Sequence, residues 1–180
     1  MKKIFSVIVL IFSVSVCFSQ EKTPPYKEIL PQNEKIVVVN DIPMIKYELL
    51  EQKIKEEKDV FLVLNFWSTT CAPCVKELPD FIEVNDKFKA NPKFKMLLVS
   101  LDRAKDKERV IQFIKNKILT AEVVLLDDIK RMNTWIPKFE KNWDGNIPVT
   151  IFYKNGEKIH FNDGEMSKEN LENIIVKNLN

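Results

Sequence analysis

The run Val60-Phe61-Leu62-Val63-Leu64-Asn65-Phe66 is apolar at every position but one. So continuous a run reads as a strand covered on both faces, as in a parallel sheet, and such a strand needs helices above and below it. Directly behind it comes Cys71-Ala72-Pro73-Cys74. Any fold proposed for this chain must therefore place a cysteine pair at the carboxyl end of a buried central strand.

The remaining periodicities fit around that strand. From Cys71 to Phe88 the apolar spacing turns helical, offering Leu78, Phe81, Ile82 and Phe88 to a core. Phe94 to Leu101 reads as another buried strand, Lys105 to Lys117 as a helix carrying Val110, Phe113 and Ile114, Glu122 to Leu126 as a strand, and Ile129 to Phe139 as a shorter helix. Val149–Tyr153 and Lys158–Phe161 flank Asn155-Gly156, the strongest short hairpin signal, and Ser167 is placed to cap a last helix ending near Asn178. Ahead of the central strand, Ile36–Val39 reads as an extra strand closed by a turn at Asn40-Asp41-Ile42-Pro43. Ile45, Leu49, Leu50 and Ile54 then form the stripe of an amphipathic helix over Ile45–Lys58. The order predicts an α/β protein: a mixed central sheet flanked by helices, with an extra N-terminal strand.

Residues 1–19 read as an export signal, because Lys2-Lys3 precede an apolar run from Ile4 to Phe18 that only serine interrupts. Cys17 and Ser19 are small enough for cleavage before Gln20. An uncleaved anchor is the alternative; acylation of Cys17 is disfavoured by the valine ahead of it. Residues 20–34 form a polar lead and 35–180 the domain. The expected location is the periplasm or cell envelope, with a membrane-tethered form as the other outcome. Loss of the signal removes Lys2 and Lys3 from 28 basic residues and leaves them equal to the 26 acidic ones, which argues against a nucleic-acid partner.

Cys17 leaves with the signal, so Cys71 and Cys74 are the only cysteines of the mature chain. A disulfide between residues so close removes little chain entropy, which points the pair toward chemistry rather than stapling. Cys71 begins a helix, where unpaired N–H groups and the helix dipole favour a thiolate. Cys71 is then the nucleophile, and Cys74, one turn further in, resolves the mixed disulfide. Pro73 suits a first helical turn. Zinc fails on ligand count, since His160 is the only histidine. Attachment of a c-type haem needs histidine after the second cysteine, where this chain has Val75. No cofactor and no metal site are expected.

The segment Asn65-Phe66-Trp67-Ser68-Thr69-Thr70-Cys71-Ala72-Pro73-Cys74-Val75-Lys76-Glu77-Leu78-Pro79 resembles the active-site segment of the TlpA/ResA-like thioredoxins. The resemblance runs from about Ile36 to the carboxyl terminus and implies a thioredoxin-like fold. It gives asparagine rather than aspartate at Asn65, and it implies that Glu77 is a proton shuttle beside the cysteines. On physical grounds alone, Glu77 shares a helix face with Cys74, but glutamate in a first helical turn is also favoured by the dipole. The resemblance further implies a cis proline at Pro148, with the backbone of Ile147 open to an extended client segment beside Cys71. It matches Trp67 to a tryptophan lining the site, although a large aromatic serves equally well in a core. Pro79 matches a helix kink. Thr70 departs from relatives that carry tryptophan there. His160 is taken as structural.

The resemblance implies an enzyme, a thiol-disulfide oxidoreductase acting on disulfide-containing exported clients, with reduction as the leading direction and cytochrome c maturation as a setting related proteins serve. A reductant would need a membrane thiol donor. Two other functions compete: a thiol peroxidase of the same fold, which the adjacent cysteine pair disfavours, and a copper-binding module, for which no matched histidine is found.

Overall fold

The computed structural model describes residues 37–39 and 42–179. The signal over 1–19, the lead over 20–34 and Cys17 lie outside the described residues. The elements run β1 (Val37–Val39), β2 (Ile42–Ile45), α1 (Tyr47–Glu56), β3 (Phe61–Trp67), α2 (Ala72–Phe88), β4 (Phe94–Ser100), α3 (Lys107–Lys117), β5 (Glu122–Leu126), α4 (Met132–Phe139), β6 (Val149–Lys154), β7 (Glu157–Asp163) and α5 (Lys168–Leu179). The strands form one sheet in the order β1-β2-β5-β4-β3-β6-β7.

β3 is central and buried at every residue. It runs parallel to β4 and antiparallel to β6, and β4, β5 and β2 continue the parallel part. Apolar side chains from its two faces feed two cores. On one face Val63 and Trp67 join Phe81 and Val84 of α2, Val110 of α3 and Leu171 of α5. On the other, Leu62, Leu64 and Phe66 meet Leu50 of α1, Trp135 and Phe139 of α4, and Trp143. Each such side chain, wholly buried, contributes about 2 kcal/mol from apolar area alone. This is the mixed sheet with helices on both faces that the apolar runs predict.

Two details at the amino-terminal edge differ from the sequence reading. Ile42 and Pro43 are not a turn but the start of β2, with Val39 opposite Ile42 and Val38 opposite Pro43. Proline is tolerated because it precedes Met44 and Ile45, the residues in register with β5. Ile45 likewise belongs to β2 rather than to the first helix, which starts at Tyr47. Residues 104–106 and 129–131 form single 3₁₀ turns that shorten the next two helices from their predicted starts.

The hairpin between β6 and β7 turns at Asn155 and Gly156, both at positive φ. A Cβ on Gly156 would meet the carbonyl oxygens of Ile54 and Lys55 at 3.2 Å, so glycine there lets the hairpin approach the end of α1. The Ser167 hydroxyl accepts from the Asn170 N–H and caps α5. No helix among the described residues is long and apolar enough to cross a membrane.

Candidate active site

The cysteine pair lies where β3 gives way to α2, at the carboxyl edge of the parallel strands. Cys71 is the N-cap of α2: its Sγ accepts from the Cys74 N–H at 3.3 Å, and Pro73 occupies the first turn. A sulfur in this position faces the unpaired N–H groups of the helix, the arrangement that stabilises a thiolate once the disulfide is opened. Here Cys71 and Cys74 are joined in a disulfide. Cys71 is half-buried, while Cys74 is wholly buried.

The Ile147–Pro148 peptide bond is cis, and the Ile147 carbonyl oxygen lies 3.5 Å from the Cys71 sulfur. The structure thus brings Ile147, 76 residues from Cys71 in sequence and bonded to Pro148, against the cysteine loop. Trp67 is not brought to the surface with them. It is 0 % exposed, packs its ring 5.2 Å from that of Phe113, and leaves its indole N–H unpartnered. As the last residue of β3, paired with Ser100, it fills the core beneath α3 and is closed to solvent.

Glu77 lies one turn beyond Cys74 and is only 4 % exposed. Its carboxylate accepts from Asn65 Nδ2 at 2.9 Å and from the Met166 N–H at 2.9 Å. Burial pushes it up to about 7, against the opposing pull of those two donors, and the nearby negative charges of Glu165 and Asp80 add to the rise. Asn65 spends its other amide hydrogen on the Thr150 hydroxyl at 3.1 Å, and its Oδ1 is buried without a partner. A polar chain therefore runs beneath α2 from the loop before α5, through Glu77 and Asn65, to β6.

A second polar cluster grips the approach to Cys71, and the sequence reading did not single out any of its members. Asp102 accepts from the Thr69 N–H at 2.9 Å, the Thr69 hydroxyl at 2.6 Å, the Ser100 hydroxyl at 2.8 Å and Arg109 Nη2 at 2.9 Å. Arg109 Nε also donates to Thr69 Oγ1 at 2.8 Å. Burial works to raise Asp102, but these donors outweigh it and hold the carboxyl below its ordinary value. The loop leading into Cys71 is thus fastened to the end of β4. Thr70, by contrast, is exposed, and its hydroxyl shares a hydrogen bond with that of Ser68.

Comparisons with known proteins point to the same fold. A thioredoxin-like family profile matches residues 59–142. The thiol-disulfide oxidoreductase ResA of Bacillus cereus is 28 % identical over 177 residues, an alignment covering 95 % of this chain and 92 % of that protein. Sporulation thiol-disulfide oxidoreductase A of Bacillus subtilis is 36 % identical over 64 residues, covering 35 % of this chain and 38 % of that one. Among solved structures, StoA from Bacillus subtilis is similar with a TM-score of 0.50 at 28 % identity, over 64 % of this chain and 82 % of the other. A thioredoxin-family thiol:disulfide interchange protein from Chlorobium tepidum reaches a TM-score of 0.57 at 22 % identity, over 69 % and 83 %, a likeness of fold.

Proposed function

Since the chain belongs to the TlpA/ResA-like thioredoxins and is a thiol-disulfide oxidoreductase with Cys71 and Cys74 as its pair, we propose that it is exported and reduces disulfides of exported client proteins. The observation that carries this reading is the asymmetry of the two sulfurs. One caps a helix at the surface beside a backbone carbonyl, and the other is sealed behind it.

In the reduced chain, the Cys71 thiolate attacks one sulfur of the client disulfide. A Cys71–client disulfide forms, the client S–S bond breaks, and the other client sulfur leaves as thiolate. Cys74 then attacks Cys71 Sγ, closing the intramolecular disulfide and releasing the second client thiolate. The client gains two electrons and the chain loses them. A membrane thiol donor must return them, and cytochrome c maturation is a setting in which such clients arise. Cys74 is buried and must shed its proton before it attacks. Glu77, one turn on and titrating near neutrality, is the acceptor we assign. The Ile147 backbone, beside Cys71, is the edge we assign to an extended client segment.

The experiment is the equilibrium reduction potential of the mature domain, read by tryptophan fluorescence or thiol trapping in glutathione and dithiothreitol buffers. A value near about −270 mV, that of thioredoxin, supports a reductant. A value near about −120 mV, that of DsbA, makes the protein an oxidant instead.

A further inference from the structure

Because β2, β3, β4 and β5 are parallel, their carboxyl ends share one edge of the sheet, the edge where ligands of open α/β sheets bind. β3 delivers Cys71 to that edge. The segments following β2, β4 and β5 enclose a cleft of about 620 Å³ lined by Lys46, Arg103, Lys105, Ile129 and Lys130 together with two aspartates. β5 is two strands from β3, so the cleft opens roughly 10 Å across the sheet from the cysteine loop.

The charge in this cleft is unbalanced. Asp127 is engaged by Lys46 at 2.9 Å, and Asp128 by Arg131 and by the Tyr47 N–H. Arg103, Lys105 and Lys130 are exposed, and among the described residues their side chains make no ion pair or hydrogen bond. Ile129 adds an apolar surface 37 % exposed. Arg103 directly follows Asp102, which holds Thr69 in the loop ahead of Cys71, so a buried carboxylate links one wall of the cleft to that loop.

We infer that this cleft is a docking site for an acidic segment of the client polypeptide, lying alongside the disulfide that Cys71 attacks. The inference rests on the exchange reading above and adds the client class: a chain whose carboxylates meet Arg103, Lys105 and Lys130 while its disulfide reaches the cysteine loop. Complementary charge at this range accelerates encounter and sets the preferred partner more than it adds affinity.

The test compares three synthetic peptides with the same disulfide and flanks of glutamate, glutamine or lysine, together with a small neutral disulfide. Stopped-flow measurement gives the second-order rate constant at which each oxidises the reduced protein, at low and at about 0.5 M salt. The glutamate peptide is expected to react about tenfold faster than the glutamine peptide, the low end of electrostatic steering, with the lysine peptide slowest. The ratio collapses at high salt. In the Lys105→Glu/Lys130→Glu double variant, checked for native unfolding temperature, the ratio falls to one or below. Equal rates for the three peptides, or a preference that survives the double substitution, overturn the docking site while leaving exchange intact. No reaction with even the small neutral disulfide overturns the exchange reading and the inference with it.

Discussion

Glu77, one turn beyond Cys74, and Asp102, bonded to Thr69 ahead of Cys71, are about equally hidden at 4 % and 3 % exposure, yet their pKa values are shifted in opposite directions. Both feel burial as the largest influence, and in both it favours the neutral acid. Glu77 answers it with two donors, neither of them charged. Asp102 answers it with four, one of them the guanidinium of Arg109. The difference shows that burial alone does not decide the charge of a hidden carboxyl; the number and charge of its donors do. It also separates two tasks. A carboxyl held ionised is a fixed anchor, and one poised near 7 can gain and lose a proton under working conditions.

Removing the anchor is the harshest way to break the comparison. Asp102→Ala leaves the part-buried Thr69 amide and the hydrogen of the buried Ser100 hydroxyl without an acceptor, and denaturant unfolding should show a loss of about 3 kcal/mol or more.

Glu77→Gln comes next. With a folded pKa of about 7 against an ordinary 4.5, Glu77 binds its proton more tightly in the native state. Its contribution to stability is complete below about pH 4.5 and is lost as pH rises through 7, amounting to about 3 kcal/mol at most. Urea midpoints measured from pH 4 to 8 should fall across that window in the wild type and lose this component in Glu77→Gln. The exchange rate should lose its inflection near pH 7. Asp102 has the opposite sign: its contribution is present above its ordinary value of 3.8 and disappears only as pH falls through the lower folded value.

A smaller effect sharpens the contrast. Asn65→Leu deletes a donor to ionised Glu77, so the carboxyl titration, followed by ¹³C NMR, should move upward by about one unit, or about 1.4 kcal/mol. Least of all, Arg109→Ala should lower the denaturant midpoint only slightly, because Arg109 is half exposed and Asp102 keeps its Thr69 and Ser100 donors.

The legibility of the molecule follows the range of its interactions. β3, the helix behind it and the Asn155-Gly156 hairpin could be read because each is announced by neighbours in sequence. Ile45 shows where local pattern fails: it keeps helical spacing with Leu49 and is buried, yet it belongs to a strand, and burial alone does not tell the two apart. Pro43 was a turn signal overridden by pairing with β1. Of the site, the cysteines, Glu77 and the Ile147-Pro148 dipeptide stood out by spacing or resemblance. Their partners did not: Met166 reaches Glu77 across 89 residues, Thr150 reaches Asn65 across 85, and Arg109 reaches Thr69 across 40. A Ser-x-Asp ending a strand carries no signal that a distant loop will close on it.

The central claim is that Cys71 attacks and Cys74 resolves, and intermediate trapping tests it most directly. Cys74→Ser, reduced and mixed with a disulfide peptide, should accumulate a covalent adduct at Cys71 that mass spectrometry locates, while Cys71→Ser should form none at the buried Cys74. Equal adducts on both variants, or an adduct on Cys74 alone, would contradict it.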